Sequence, residues 1–225
     1  TYKTAEGWSD YASIIKAQIS PTTPITFADP VVKALCVANW GSNGEITHEQ
    51  AASVTDLGTV FTGNTNIISF NELQYFTDLT TLKNNAFTRC TNLASVTLPS
   101  SITTLENGIM AQSSEESYGC FLNSGLTSIT IPASVTSIGD IAFASCPNIT
   151  SLTIPTTVSN IGNAAFFGSG LTTITANSET PCTIQNNTFA NCVDLTKVLV
   201  PVNSVDTYKT AAGWSNYADV ISAIV

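Results

Sequence analysis

Apolar and polar positions recur along most of this chain with a fixed step, and a phenylalanine marks each recurrence. The five markers are Phe87, Phe121, Phe143, Phe166 and Phe189, separated by 34, 22, 23 and 23 residues. Self-similarity with a period of about 20–50 residues is typical of stacked repeat proteins. A unit this short cannot bury its apolar side alone, so neighbouring units must pack together into one elongated core.

A short β-strand is predicted in each unit, because apolar and polar residues alternate with a period of two. In the segment 126–132, Ile129 and Ile131 point to the core, whereas Ser128 and Thr130 point outward. Parallel strands in neighbouring units lie about 4.8 Å apart, so outward side chains at matching positions form rows. Two such rows are the candidate binding residues: Ser95, Ser128, Ser151, Thr173 and Lys197 in the first, and Thr97, Thr130, Thr153 and Thr175, continued by Leu199, in the second.

Two explanations of these rows are open. A β-branched threonine suits a half-exposed pleated surface whatever the function of the protein. A whole face rich in hydroxyls can also recognise protein or glycan ligands through many weak hydrogen bonds.

Most units carry the same set of residues after the strand, namely a proline, an Ile-Gly pair, an Ala-Phe pair and a Cys or Ser. One example is Pro132, Ile138-Gly139, Ala142-Phe143 and Cys146. This combination resembles the BspA-like leucine-rich-repeat family of surface proteins from anaerobic gut and oral bacteria and some protists. The strands that carry the resemblance run from Leu93 to Pro99, Leu126 to Pro132, Ile149 to Pro155, Leu171 to Ile174 and Leu195 to Pro201.

The resemblance covers about residues 60–225 and implies a leucine-rich-repeat solenoid. Its short parallel strands would stack in a right-handed coil, with irregular or short helical connections on the other side. About five regular turns and irregular ends are expected. The long first gap predicts an insertion near Asn107–Tyr118, which we expect to form a surface loop.

The two ends of the chain repeat one another. Residues 207–221 match residues 1–15 at 11 of 15 positions, including the run Gly-Trp-Ser-x-Tyr-Ala. The later copy follows the last repeat strand, where a solenoid needs a cap, and it looks like the usual terminal cap of the family. The residues expected to cover the coil of Phe189 are Tyr208, Trp214, Tyr217 and Ile221.

The earlier copy is interpreted as the orphaned cap of a preceding repeat block, so Trp8 and Tyr11 would lack their native partner. They are then expected to dock elsewhere, to be disordered or to contact another copy of the chain. The prolines of Ser20–Pro24 indicate a linker. After it, Asp29-Pro30 predicts the start of a helix that ends near Trp40. A capping box at Thr47–Gln50 predicts a second helix to about Leu57.

Three parts are therefore predicted. Residues 1–20 are the orphaned cap segment, residues 21–58 are a helix–loop–helix subdomain, and residues 59–225 are the solenoid, with its C-terminal cap at about 202–225.

The charge balance limits the possible partners. The formal net charge is −9, and only 7 residues are Lys or Arg. A nucleic-acid partner or an anionic membrane requires a basic patch, and little material for one is present. The sequence contains no apolar run of 18 residues, so no membrane insertion is expected. Abundant Thr, Ser and Asn suit an extracellular surface, as in a mature exported protein or a piece of a larger one.

The six cysteines do not form the pattern of a disulfide framework. Cys90, Cys146 and Cys192 each follow a marker phenylalanine by three residues, where the other units have Ser. We expect these three to be buried thiols, because free Cys packs as a small hydrophobic residue. The state of Cys36, Cys120 and Cys182 is open, and the pairings Cys182–Cys192 and Cys120–Cys146 are both possible.

Catalytic and metal-binding patterns are weak. His48 is the only histidine, whereas hydrolytic triads and two-histidine zinc sites need further partners at suitable spacing. The segment 39–50 looks like a degraded calcium loop of the helix–loop–helix type. It lacks the early carboxylates and ends in Gln50 where a bidentate Glu is required. We expect no catalytic site, no metal and no cofactor.

Three functions are compatible with these features. The first is a non-enzymatic binding module on the surface of an anaerobic bacterium, for which the family resemblance implies adhesion to host proteins or other cells. The second is a structural spacer in a longer tandem array. The third is an accessory domain that handles carbohydrate.

Overall fold

The computed structural model describes residues 20–110 and 117–225, and the chain winds through short strands in successive coils. The strands are β1 (Ser69–Phe70), β2 (Thr81–Leu82), β3 (Ser95–Val96), β4 (Thr104–Leu105), β5 (Ser137–Ile138), β6 (Ser151–Ile154), β7 (Asn160–Ile161), β8 (Thr173–Ala176), β9 (Thr183–Ile184), β10 (Lys197–Val200) and β11 (Ile221–Ala223). The helices are α1 (Pro30–Trp40), α2 (His48–Ala52) and α3 (Val205–Thr210), and 3-10 turns occupy Asn71–Tyr75, Val202–Ser204 and Trp214–Val220.

The strands lie on two sides of the solenoid, and every strand pair in the described ranges is parallel. On the first side β1 pairs with β3, and β6, β8, β10 and β11 form a four-stranded sheet. On the second side β2, β4, β5, β7 and β9 form a five-stranded sheet. The sequence predicts irregular or short helical connections on this side, so the second sheet differs from the prediction. Its strands have only two residues, one polar and one buried Leu or Ile, which is too short for alternation to reveal.

The marker phenylalanines form one buried column, as predicted. From Phe87 to Phe189, the centroids of successive rings lie 5.2, 5.1, 5.0 and 5.6 Å apart. Phe61 adds an earlier ring at 5.4 Å from Phe87, which the sequence pattern does not mark. All six rings are at most 2% exposed. The predicted interior position of the aromatic column is therefore confirmed.

A second column follows the rings and holds Cys or Ser. Its thiols donate to the carbonyl oxygen of the preceding ring residue at 2.9–3.1 Å, in the pairs Cys90 to Phe61, Cys146 to Phe121 and Cys192 to Phe166. All six cysteines are free and buried. The prediction of buried thiols is confirmed, and neither pairing that the sequence left open is formed.

The segment before the repeats packs on the first coil. Trp40, at the end of α1, lies with its ring centroid 6.3 Å from that of Phe61 and 5.7 Å from that of Phe76. Buried side chains of both helices, such as Val32 and Ala51, belong to the same hydrophobic core as the repeats. This end of the aromatic column is therefore covered.

Asp29 joins the helical segment to the first sheet. One carboxylate oxygen accepts from the N–H groups of Val31 and Val32 at 2.8 and 3.2 Å and so caps α1. The other oxygen accepts from the N–H groups of Ile68 and Ser69 at 2.6 and 3.3 Å, where the chain enters β1. Burial opposes ionisation of Asp29, but the four N–H groups outweigh it and hold its pKa below the usual value.

The predicted bounds of α1 are confirmed, and so is the capping box of α2, in which Thr47 and Gln50 bond to one another's backbone. The prediction that α2 continues to about Leu57 is wrong, because the helix ends at Ala52. The Ser53 hydroxyl donates to the Gln50 carbonyl oxygen at 2.8 Å. A turn then follows, in which Gly58 has a φ of 56°.

The C-terminal segment covers the other end of the column, as predicted. The ring centroids of Trp214 and Tyr217 both lie 5.9 Å from that of Phe189. Tyr208 contacts Trp214 edge-on at 5.2 Å. Ile221 is buried and begins β11, which closes the sheet against β10.

Some predictions lie outside the described residues. These are the orphaned cap segment, with Trp8 and Tyr11, and the middle of the insertion at 111–116. At the base of that insertion, Ile109 and Tyr118 exchange two backbone hydrogen bonds of 2.8 and 3.0 Å. Among the helices that the structure describes, none has the length and apolar character needed to cross a bilayer.

Candidate binding face

The predicted rows lie on the first side of the solenoid. In the four-stranded sheet Thr173 lies between Ser151 and Lys197, and Thr175 lies between Thr153 and Leu199, as the sequence predicts. We call the candidate residues of both rows the hydroxyl face: Ser95, Thr97, Ser128, Thr130, Ser151, Thr153, Thr173, Thr175 and Lys197.

The hydroxyl face is interrupted near its middle. Residues 126–131 form no strand, and their backbone bond to the preceding coil joins the Thr127 N–H to the Ala94 carbonyl oxygen at 3.1 Å. Ser128 and Thr130 are exposed but outside the sheet register. The prediction of a strand in every unit is wrong here, because alternation reports which side chains are buried and does not report backbone pairing.

A groove of about 300 Å³ lies at this interruption. It is lined by Val96, Thr97, Leu98, Ser100, Thr130 and Pro132. Val96 and Leu98 are buried, whereas Thr97 and Thr130 are exposed. The groove therefore combines apolar walls with two hydroxyls of the candidate face, and we call it the 97/130 groove.

Many other hydroxyls are used by the fold. On the first side Thr172, one residue before the row, donates to the Thr150 carbonyl oxygen at 3.0 Å. On the second side Thr103 donates to the Thr80 carbonyl oxygen at 3.2 Å. The same bond to the preceding coil is made by Thr127, Thr136, Ser159 and Thr196. These hydroxyls extend the backbone ladder between coils.

The hydroxyls of the hydroxyl face, in contrast, make few bonds to the fold. In the described ranges, Thr97 is the only one of its eight Ser and Thr residues whose side-chain hydroxyl has a protein partner, the side-chain oxygen of Asn71 at 3.3 Å. Thr172 and Thr173, at the start of β8, show the contrast between a hydroxyl that the fold uses and one that it does not. The first hydroxyl is bonded to the fold and the second is left for solvent or a ligand.

Charge contributes little to this face. Lys197 is its one charged residue, and it makes no salt bridge with the residues that the structure describes. Two other lysines are paired elsewhere, Lys33 with Glu45 at 2.8 Å and Lys83 with Asp56 at 2.7 Å. Recognition at the hydroxyl face would therefore depend on hydrogen bonds and shape, with a single cation near one end.

Side chains of the degraded calcium loop are engaged in bonds within the helical segment. Glu45 pairs with Lys33, and the Gln50 side chain bonds to the Thr47 N–H and the Ser42 hydroxyl, both at 2.8 Å. His48 contacts the Tyr75 ring edge-on at 4.4 Å. Within residues 20–110 and 117–225, no group of three or more His, Cys, Asp or Glu is placed to hold a metal.

The thiols are not activated nucleophiles. Burial raises the pKa of Cys90 and Cys120 to about 12. Burial and the nearby Glu72 raise the pKa of Cys36 to about 12 as well. Because the thiolate is the reactive form, these cysteines stay protonated and inert in the folded protein at neutral pH.

A family model described as BspA type leucine rich repeat region matches residues 59–119 and 114–212 in six copies. The chain belongs to this BspA-type leucine-rich-repeat family. The match covers the aromatic column and both sides of the solenoid, so the leucine-rich-repeat fold expected from the sequence is confirmed.

Two solved structures are similar to this BspA-type chain. A leucine rich cell surface protein from Faecalibacterium prausnitzii A2-165 is 18% identical, with a TM-score of 0.23, over 65% of this chain and 57% of that chain. A leucine-rich repeat protein from Bacteroides ovatus ATCC 8483 is 15% identical, with a TM-score of 0.31, over 92% of this chain and 68% of that chain. A comparison with curated proteins gave no significant match.

Some residues of this BspA-type face were missed from the sequence. Ser69 pairs with Ser95 and extends the first row, and Ser222 pairs with Leu199 and extends the second. The spacing of 26 residues between Ser69 and Ser95 is the signal that could have found the former. The 97/130 groove lies where residues 126–131 form no strand, and nothing in the sequence pattern distinguishes this coil from the paired ones.

Proposed function

We propose that this BspA-type array is a non-enzymatic binding module at the surface of an anaerobic bacterium, and that it recognises a protein of the host or of another cell through the hydroxyl face. The observation that carries the proposal is the set of hydroxyls that have no partner in the described fold. The exported location is supported by the family and by the hydroxyl-rich, weakly charged composition.

Unpartnered hydroxyls suit recognition of a polar protein surface. Each hydroxyl can donate one hydrogen bond and accept others. A single bond contributes only about 0.5–1.5 kcal/mol net, so affinity requires many of them along the rows. Ser151, Thr153, Thr173 and Thr175 lie in sheet register and form the regular part of such a surface.

The 97/130 groove supplies an apolar anchor beside these hydroxyls. Protein interfaces typically depend on a few side chains that fill well-packed pockets near the centre of the contact. A groove of about 300 Å³ with Val96 and Leu98 in its walls can take one apolar side chain of a partner. Thr97 and Thr130 would then bond to the polar atoms on either side of it.

The test is binding of the purified chain to a panel of immobilised host matrix proteins. The triple variant Thr130→Ala, Thr153→Ala and Lys197→Ala is expected to weaken binding at least about tenfold, or ~1.4 kcal/mol. Thr130→Trp alone should fill the groove and weaken binding at least as much. Neither variant should lower the melting temperature, because these side chains are exposed.

The matched control is the triple variant Thr104→Ala, Thr183→Ala and Lys209→Ala, which removes the same chemistry outside the hydroxyl face. It should bind like the wild-type chain. If the face variants bind normally, or if both triple variants lose affinity equally, the assignment of the ligand to this face is wrong. If soluble glycans compete with the matrix proteins, the ligand is a glycan and the protein-ligand proposal fails.

A spacer in a tandem array is the second candidate function. It is favoured by one observation, the recurrence of residues 1–15 at 207–221 with 11 of 15 identities. A parent gene that encodes many near-identical modules followed by a distinct terminal domain would support the spacer. Loss of cell adhesion when only that terminal domain is deleted would decide for it over the binding module.

A further inference from the structure

The C-terminal cap is held by specific contacts to the last coil. Trp214 donates its indole N–H to the Cys182 carbonyl oxygen at 2.8 Å. The Tyr208 hydroxyl donates to the Ser178 carbonyl oxygen at 2.9 Å. The Trp214 ring packs on Phe189, and β11 pairs with β10. We call the surface that receives the cap the cap seat, made of Ser178, Cys182, Ile184, Phe189 and strand β10.

Gly213 is also required by the cap seat. Its φ is 79°, a left-handed conformation that side chains rarely adopt. A Cβ atom there would lie 2.6 Å from the Ile184 side chain and 2.8 Å from its carbonyl oxygen. Only glycine lets the backbone approach Ile184 this closely. A glycine at this position is therefore expected in any segment that binds the cap seat in the same way.

Residues 1–19 retain the side chains that make the ring contacts and side-chain hydrogen bonds of the cap, and the glycine. They carry Tyr2, Gly7, Trp8, Tyr11 and Ile15 at the positions of Tyr208, Gly213, Trp214, Tyr217 and Ile221. The two 19-residue copies differ at seven positions. Six of the corresponding C-terminal residues are exposed: Ala212, Asn216, Asp219, Ser222, Ile224 and Val225. The seventh, Val220, is half-buried and is replaced by another branched aliphatic residue, Ile14.

The copies therefore differ at positions where the C-terminal side chain is exposed or, at Val220, where an aliphatic side chain is kept. We propose that residues 1–19 are a second, functional cap, and that they bind the cap seat of a second copy of this chain. This contact requires the resident C-terminal cap to leave the seat, and it then joins copies head to tail. A contact of this heterologous kind is open-ended, because each copy has one cap to give and one seat to receive.

The geometry excludes binding to the chain's own seat. The carbonyl oxygen of Pro21 accepts from the Glu49 N–H at 2.9 Å, which fixes the chain to the helical segment. That segment packs at the Phe61 end of the column, five ring spacings of 5.0–5.6 Å from Phe189. If residues 1–15 form the cap, residues 16–20 can span at most about 18 Å. They cannot reach the seat at the opposite end.

In the wild-type chain the resident C-terminal cap competes for the seat with the advantage of being intramolecular. The test therefore weakens the resident cap with Trp214→Ala in the full chain. We expect this variant to form concentration-dependent oligomers in sedimentation velocity experiments. The double variant Trp8→Ala, Trp214→Ala should stay monomeric, because both copies of the cap have lost the indole. A Trp214→Ala chain that stays monomeric, or a double variant that oligomerises equally, would overturn the proposal.

A synthetic peptide of residues 1–19 gives a second measurement. At a concentration about a hundred times its dissociation constant, it should raise the melting temperature of the Trp214→Ala chain by about 5–10 °C. The peptide with Trp8→Ala should bind at least about tenfold more weakly. The matched control is the Trp40→Ala chain, which loses a tryptophan at the other end of the core and should not be stabilised. Equal stabilisation of both chains contradicts a specific seat.

A third variant covers the case in which Trp214→Ala does not fold. The seven differing residues of the N-terminal copy are placed in the C-terminal cap of an otherwise intact chain, as Ala212→Glu, Asn216→Asp, Asp219→Ser, Val220→Ile, Ser222→Lys, Ile224→Gln and Val225→Ile. A melting temperature within about 3 °C of the wild-type value is expected, since surface substitutions usually change stability little. A loss of more than about 10 °C would show that the sequence of residues 1–19 cannot cap this array.

Discussion

The buried column and the hydroxyl face are built from the same repeat, but their polar side chains differ in whether they have hydrogen-bond partners. Inside, the thiols of Cys90, Cys146 and Cys192 each donate to the coil before them. Outside, most hydroxyls of the face have no partner in the described fold. A buried polar group left unpaired costs free energy, whereas an exposed one bonds to water. Folding therefore uses the polar atoms of the column and leaves most hydroxyls of the face without a partner in the described fold.

The largest expected effect is on the column. Phe143→Ala should lower the free energy of unfolding by about 3–5 kcal/mol, because it removes a fully buried ring from the middle of the stack. The matched variant Thr153→Ala on the hydroxyl face should change it by less than ~0.5 kcal/mol. Urea denaturation measures both. An unchanged stability of Phe143→Ala would contradict the register of the whole array.

The column was predictable from sequence because each ring must be buried and so recurs at a fixed step. Phe61 was not predicted, because it precedes the regular repeats. It lies next to the helical segment, where the repeat pattern is absent. The cap was predictable for a similar reason, since Trp214 and Tyr217 recur as Trp8 and Tyr11. Positions under strong packing constraint leave a signal in the sequence.

The face was only partly predictable. The alternation located Ser151 and Thr173 correctly, but it also predicted a strand at 126–132 that the structure lacks. Ile129 and Ile131 are buried there without backbone pairing, so the burial pattern is the same with or without a strand. The 97/130 groove lies beside this unpaired segment. Sequence alternation alone therefore cannot reveal it.

The second prediction concerns a buried polar group that the fold uses fully. Asp29→Asn should lower the free energy of unfolding at pH 7 by about 1–3 kcal/mol, because an amide nitrogen cannot accept from two of the four N–H groups. Since the folded pKa of Asp29 is lowered from 3.8, its contribution is complete above that pH. The contribution is lost as the pH falls through the lower folded value.

The stability difference between wild-type and Asp29→Asn chains should therefore be constant from pH 7 to about 5 and shrink below about 4. Urea denaturation at several pH values measures it. Asp194→Asn, at an exposed carboxylate, is the control and should cost less than ~0.5 kcal/mol at pH 7. A difference that grows as the pH falls would mean that Asp29 does not make these bonds as an anion.

The smallest expected effect separates two adjacent threonines of the first side. Thr172→Val removes a hydroxyl that donates to the Thr150 carbonyl oxygen at 3.0 Å, so it should cost about 0.5–1 kcal/mol. Thr173→Val removes a hydroxyl with no described partner from a strand that favours either β-branched residue, and should cost less than ~0.3 kcal/mol. Urea denaturation of the two variants in parallel resolves the difference. Equal costs would mean that the fold uses both hydroxyls, and the physical basis for assigning a ligand to the face would be removed.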